Sequence, residues 1–127
     1  MDIFEFSDDK KVLKKCNNKE IVICGIPDGV IEIGQWAFEE CKNLKSVIIP
    51  NSVKYIDRGA FVNCYSLQNV IIPNSVQYIN KGAFGYCRSL EKVTIPDSVK
   101  IIGNGAFYGC EKLQSVTIPD SVKEIEH

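Results

Sequence analysis

Prolines stand at Pro27, Pro50, Pro73, Pro96 and Pro119, and each interval between them is 23 residues. The same interval separates Phe38, Phe61, Phe84 and Phe107, and again Cys41, Cys64, Cys87 and Cys110. Leu44, Leu67, Leu90 and Leu113 keep it, as do Val47, Val70, Val93 and Val116, then Ile49, Ile72, Ile95 and Ile118. Val53, Val76, Val99 and Val122 follow four residues later. One period carried by so many residue types implies copies of a single supersecondary unit stacked in line. The chain is a solenoid.

Each unit reads the same way. In Leu44-Lys45-Ser46-Val47-Ile48-Ile49-Pro50, Val47 and Ile49 alternate with Ser46 and Ile48, the period of a strand with one buried face. Pro50 ends the strand because it has no N–H to give to a ladder. Asn51-Ser52 supplies turn chemistry, as Asp97-Ser98 and Asp120-Ser121 do later. Val53 and Ile56 form a second inward pair on a short extended segment. A glycine comes next at 59, 82 or 105, replaced by Trp36 in the first unit. Ala60-Phe61-x-x-Cys64-x-x-Leu67 then spaces apolar residues three apart, which suits a short helix or 3₁₀ turn. No unit of this size buries such a face alone, so neighbours cover it in columns of like residues about 4.8 Å apart. Every copy runs in one direction, so the sheet is parallel.

The pattern Ile-Pro-(Asp/Asn)-Ser-Val-x-x-Ile-x-x-(Gly)-Ala-Phe-x-x-Cys-x-x-Leu-x-x-Val-x-Ile resembles the BspA-like leucine-rich repeat. Leu44-x-x-Val47-x-Ile49 is similar to the strand core of leucine-rich repeats generally, although Ser52, Ser75, Ser98 and Ser121 stand where the general repeat carries an Asn or Cys ladder. The resemblance implies a leucine-rich-repeat-like solenoid, β-rich with short helical or 3₁₀ turns: a parallel sheet of about five short strands behind an N-terminal β cap. It divides the chain into a capping segment, 1–26, and a solenoid, 27–127, with repeats 27–49, 50–72, 73–95 and 96–118 and a partial repeat 119–127.

In the cap, Ile3, Phe4 and Phe6 precede the polar Ser7-Asp8-Asp9-Lys10, and Asn17-Asn18 gives a second turn signal before Glu20-Ile21-Val22-Ile23. This reads as a small β meander, with a helix over 8–16 as the competing reading. Cys24 and Ile26 stand where Val47 and Ile49 stand in the next unit. At the other end no cap is legible. Strand 113–118 is expected to be the last full strand, with Phe107, Cys110 and Leu113 uncovered behind it.

Chemistry is scarce. The single histidine is His127, which removes most acid–base, nucleophile-activating and His-metal options. Lys and Arg number 15 against 16 Asp and Glu, a formal net charge of −1, with no long block of one sign. That argues against nucleic-acid or polybasic membrane binding. No run approaches the roughly 20 apolar residues of a membrane helix. The acidic start, Met1-Asp2-Ile3-Phe4-Glu5-Phe6, does not read as a signal peptide, so the chain reads as cytoplasmic or as a piece of a longer exported protein. Cysteines stacked about 4.8 Å apart along parallel coils suit neither a disulfide, which wants converging Cβ atoms near about 3.8 Å, nor zinc, which gathers four sulfurs at about 2.3 Å. They are expected to be buried core thiols, with Cys16 and Cys24 less constrained. Gly103-Asn104-Gly105 has Tyr108 where a dinucleotide loop has its third glycine and lacks the Lys-Ser/Thr of a P-loop, so it reads as a turn. Glu39-Glu40 and Asp8-Asp9 read as solvated charge rather than as a catalytic pair facing across a substrate. No Asn-x-Ser/Thr sequon is present.

What remains is surface. Outward strand positions hold Ser46 and Ile48, Asn69 and Ile71, Lys92 and Thr94, and Ser115 and Thr117. Ile48 and Ile71 are apolar on a face that should be wet. Tyr55 and Tyr78 should stack on a neighbouring face beside Ile101. Such patches suit a partner protein, while cross-strand pairing that merely stabilises the sheet is the alternative. The expected function is a non-enzymatic protein–protein interaction module with no cofactor and no metal. Ile48, Asn69, Ile71, Lys92, Thr94, Tyr55, Tyr78 and Ile101 are its candidate binding residues. Weak self-association is expected through the open C-terminal end. The family resemblance implies a cell-surface or secreted setting and adhesion. A structural or regulatory spacer within a larger protein, without a ligand of its own, is the second reading.

Overall fold

The computed structural model describes residues 3–114, 116–122 and 124–125. Its strands are β1 (Phe4–Phe6), β2 (Val12–Cys16), β3 (Ile23–Gly25), β4 (Glu32–Ile33), β5 (Ser46–Ile48), β6 (Tyr55–Ile56), β7 (Asn69–Ile71), β8 (Tyr78–Ile79), β9 (Lys92–Thr94), β10 (Ile101–Ile102) and β11 (Glu124–Ile125). They fall into two sheets. One has the order β3-β5-β7-β9, and the other β1-β2-β4-β6-β8-β10-β11. All pairs are parallel except the β1–β2 hairpin. Like residues therefore stack: Cys24 beside Val47, Val70 beside Val93, and Ile33, Ile56, Ile79 and Ile102 in one row. The expected single sheet is two, because the Val53/Ile56 segment forms its own ladder. Between the sheets each proline caps a turn whose hydrogen bond runs from the N–H of the valine three residues on to the proline carbonyl, as from Val53 to Pro50 and Val76 to Pro73.

The third wall corrects an expectation. No helix or 3₁₀ segment is found there among the described residues. Alternate N–H groups bond in two directions. Ala60, Val62 and Cys64 donate to Asp57, Gly59 and Phe61, three residues back, while Gly59, Phe61 and Asn63 donate to Lys81, Ala83 and Gly85 of the next coil. A helix would need all of these donors for itself. Coil-to-coil bonds take half of them, and the backbone must swing into the left-handed region twice per coil. Gly59, Gly82 and Gly105 occupy the first such position at φ +60 to +64°, with Trp36 there at 60° in the first coil. Glu40, Asn63, Tyr86 and Gly109 occupy the second.

The interior is a bundle of columns. Phe38, Phe61, Phe84 and Phe107 stack with centroids 4.9, 5.2 and 5.5 Å apart and ring planes within 8° of parallel. Cys41, Cys64 and Cys87, Leu44, Leu67 and Leu90, and the inward Val and Ile positions are buried beside them. At the N-terminal end Phe4 meets Phe38 edge-on, at 6.2 Å and 71°, and closes the phenylalanine column. Of the expected β meander only the β1–β2 hairpin forms, since β3 joins the other sheet, and the helix over 8–16 does not form. Ser7 accepts from the Val12 N–H and donates to Asp9, which ties the hairpin turn where a helix would have to start.

At the other end, the expected strand over 113–118 does not form among the described residues, and β9 is the outer strand of its sheet. A cleft of about 510 Å³ separates Lys92–Asp97 from Thr117–Asp120. A strand there would have β9 as its one neighbour among the described residues, so it would gain a ladder and packing on that side alone. Phe107, Cys110 and Leu113 are half-buried rather than covered, as the missing neighbour requires. Cys110 departs in this from the buried thiol expected. Ser115 and Lys123 lie outside the described residues.

Candidate protein-binding surfaces

The outer face of β3, β5, β7 and β9 carries two rows. Ile23, Ser46, Asn69 and Lys92 form one; Gly25, Ile48, Ile71 and Thr94 form the other. Alternation along each strand turns Val47, Val70 and Val93 inward and leaves these rows in solvent. Ile48 and Ile71 are 67% and 81% exposed on adjacent strands. Ile23 is exposed diagonally across from Ile48, so the apolar patch extends one strand further than the sequence pattern showed. A side chain at Gly25 would meet nothing within 4 Å, which leaves a notch beside Ile48. Asn69, Lys92 and Thr94 are also exposed and give the patch a polar, basic margin.

The second sheet brings Tyr55, Tyr78 and Ile101 into one outward row, as expected. The two tyrosine rings stack at 5.3 Å and 23°, and all three residues are half-buried. Glu32 heads this row, paired with Tyr55. Burial pushes its carboxyl up to about 7, helped by a hydrogen bond with Asp57 and by that residue's charge. Asp57 Oδ1 also accepts from the Arg58 N–H at 2.7 Å and from Asn80 Nδ2 at 3.1 Å. These carboxyls come from different coils and did not show in the sequence pattern.

The third wall holds a groove that the sequence reading passed over. Trp36, Val62, Tyr86 and Tyr108 line it above Gly82, Gly85 and Gly105, with Asn104 at its side, and its volume is about 340 Å³. Trp36, Tyr86 and Tyr108 are 44%, 42% and 66% exposed. They share no register position, so no column announces them. The one available signal was Trp36 at a glycine position.

The chemical candidates resolve into structure. Cys64, Cys87 and Cys110 donate their thiols to the carbonyls of Phe38, Phe61 and Phe84, 3.1–3.3 Å away on the preceding coil. Burial pushes Cys64 and Cys87 far up, Cys24 and Cys41 up to about 12, and Cys110 up to about 11. Such thiols resist becoming the nucleophilic thiolate. Gly103 is a turn residue: a Cβ there would lie 2.5 Å from the backbone nitrogen of Lys81. Among the described residues no helix is long and apolar enough to cross a membrane.

Among curated proteins, none matches the chain in sequence. Solved structures do. It is similar to the T. pallidum leucine rich repeat protein, at 29% identity and a TM-score of 0.79 over 92% of this chain and 69% of that one. It is similar to the pneumococcal vaccine antigen PcpA, at 27% identity and a TM-score of 0.82 over 94% of this chain and 34% of that one. A leucine rich cell surface protein from Faecalibacterium prausnitzii is 25% identical, with a TM-score of 0.69 over 89% of this chain and 36% of that one. The chain thus spans only about a third of the last two. The BspA type leucine rich repeat region matches residues 9–127 in six copies, and with the parallel coils and the Pro, Phe, Cys and Leu columns already in place, the chain belongs to the BspA-type leucine-rich repeat family.

Proposed function

We propose that the chain is a non-enzymatic module that binds another protein through the outer face of β5, β7 and β9. The observation that carries this reading is the pair Ile48 and Ile71, exposed at 67% and 81% on neighbouring strands and continuous with Ile23. An apolar core with a polar margin, here Asn69, Lys92 and Thr94, is the anatomy of a protein interface. Tyr55, Tyr78 and Ile101 offer a second, smaller surface on the adjoining wall, where aromatic rings are suited to anchoring contacts. A cell-surface setting accords with the similarity to the leucine rich cell surface protein of F. prausnitzii, and an adhesive role would use the same exposed face. The uncovered end at β9 adds a tendency to weak self-association, since an unpaired edge is a template for another strand.

The test is a pull-down with the immobilised chain against extracellular matrix proteins and a host-cell lysate, with Ile48→Thr/Ile71→Thr run in parallel. Threonine already occupies this row at Thr94, so the fold should tolerate the change. A partner held by the parent chain and lost at least about ten-fold by the variant supports the reading. A partner retained by that variant and lost by Tyr55→Ser/Tyr78→Ser moves the site to the second sheet. Capture of nothing by either chain favours a spacer.

A further inference from the structure

Trp36 and Tyr86 are bulky aromatic residues held in the left-handed backbone region, at φ 60° and 57°. At the register of Trp36 the next three coils use Gly59, Gly82 and Gly105, whereas at the register of Tyr86 the other coils use Glu40, Asn63 and Gly109. A large side chain in this conformation is an outlier, and such outliers gather where a site needs them. Both rings line one groove, and both remain more than 40% exposed. Neighbouring glycines make room for them. A Cβ at Gly59 would run into the Trp36 indole, and one at Gly109 would lie 2.5 Å from the Tyr86 ring. Tyr108 stands edge-on to Tyr86 at 5.5 Å. Between these two ends Gly82 has nothing within 4 Å above its Cβ position, so the floor is open.

We propose that this groove on the third wall binds a proline-rich segment in the polyproline II conformation. Three properties select that ligand. The first is spacing. Trp36 lies over the second coil and the tyrosine pair over the fourth, two coil steps of about 4.8 Å apart, and one polyproline II turn of three residues advances about 9.3 Å. Prolines three apart therefore match the axial step from the indole to the tyrosines, whose registers lie three and four residues along the wall from that of Trp36. The second is charge. None of the groove's lining residues is charged, and a proline segment brings no charge that would have to leave water. The third is hydrogen bonding. The phenolic hydroxyls of Tyr86 and Tyr108 and the Asn104 amide can donate, while polyproline offers carbonyl acceptors and no N–H. A glycan fits worse, because its many hydroxyls would have only two phenols and one amide to answer them among rings and glycines.

This proposal extends the interaction-module reading to a different wall, and its test separates that wall from the Ile48/Ile71 face. Trp36 is the only tryptophan, so its fluorescence reports on the groove directly. Titration of the full chain with decaproline should shift Trp36 emission saturably, and a labelled decaproline should gain anisotropy. Trp36→Gly and Tyr86→Asn put back residues that other coils carry at those registers, Gly59 and Asn63, so both should fold. Each should weaken decaproline binding at least about ten-fold, and Ile71→Thr should not change it. No saturable change up to about 2 mM decaproline would overturn the proposal, since a site weaker than millimolar carries only about 4 kcal/mol or less. So would unaltered binding by Trp36→Gly and Tyr86→Asn, or loss of binding in Ile71→Thr. A Trp36 response to cellohexaose without one to decaproline would overturn it in favour of a glycan.

Discussion

Glu32 shows how a single residue escapes a periodic reading. Its partner Asp57 lies 25 residues away (57 − 32) rather than 23, in a different column, so comparing like positions never sets the two side by side. The fold does, and burial together with Asp57 raises the Glu32 carboxyl from 4.5 to about 7. A raised folded-state value means that the protonated carboxyl belongs to the fold and the charged one strains it. The stabilising contribution is full below about 4.5 and is lost as pH rises through about 7. Glu32→Gln keeps the shape and never ionises. It should match the parent chain near pH 4 and exceed it near pH 8, by no more than about 1 kcal/mol because water reaches this half-buried side chain. Urea midpoints at the two pH values check this, and equal midpoints at pH 8 would refute it. Trp36 escaped differently. Its departure from glycine was visible, but the groove it builds with Tyr86 and Tyr108 needs the coil geometry, which no single unit contains.

Columns were legible as elements because the period states them outright. Inward Val and Ile, the Phe and Leu rows, the prolines after the strands and the β cap all stand where the spacing placed them. The turn wall was not legible as built. Apolar residues three apart fit a helical turn, and only the neighbouring coil, by taking every second N–H, decides for alternating left-handed turns instead. The phenylalanine column gives an element-scale test. Phe61 is wholly buried between two parallel rings, whereas Phe107 has a ring on one side only and is half-buried. Phe61→Ala should therefore cost about 3–5 kcal/mol and Phe107→Ala roughly half as much. Urea unfolding measures both. Should Phe61→Ala fail to fold, Phe61→Leu, with a cost of about 1–2 kcal/mol, gives the comparison. Equal losses at the two positions would mean that the column does not act as one stack.

Across the whole molecule the ends differ. Phe4 and the β1–β2 hairpin close the first coil, whereas among the described residues β9 has no strand on one edge and an open cleft beside it, and Phe107, Cys110 and Leu113 are half-buried. Ile118 is exposed on the far side of that cleft. With no described strand on that edge of β9, the chain should pair it with a second copy. Few groups take part, so the contact should be weak, with a dissociation constant of about 0.1–1 mM, some 4–5.5 kcal/mol. Light scattering across a concentration series should then show molar mass rising from 14.2 kDa toward twice that value. Fusing one further repeat with a polar outer face onto the C-terminus should abolish the rise, because it gives the 113–118 segment a second neighbour that holds it as a strand against β9, and it covers Phe107, Cys110 and Leu113. A chain that stays monomeric at about 1 mM would refute association. Association that survives the added repeat but is lost in Ile48→Thr/Ile71→Thr would move the contact to the open face of the sheet, and would make self-recognition a competitor for the surface proposed to bind a partner.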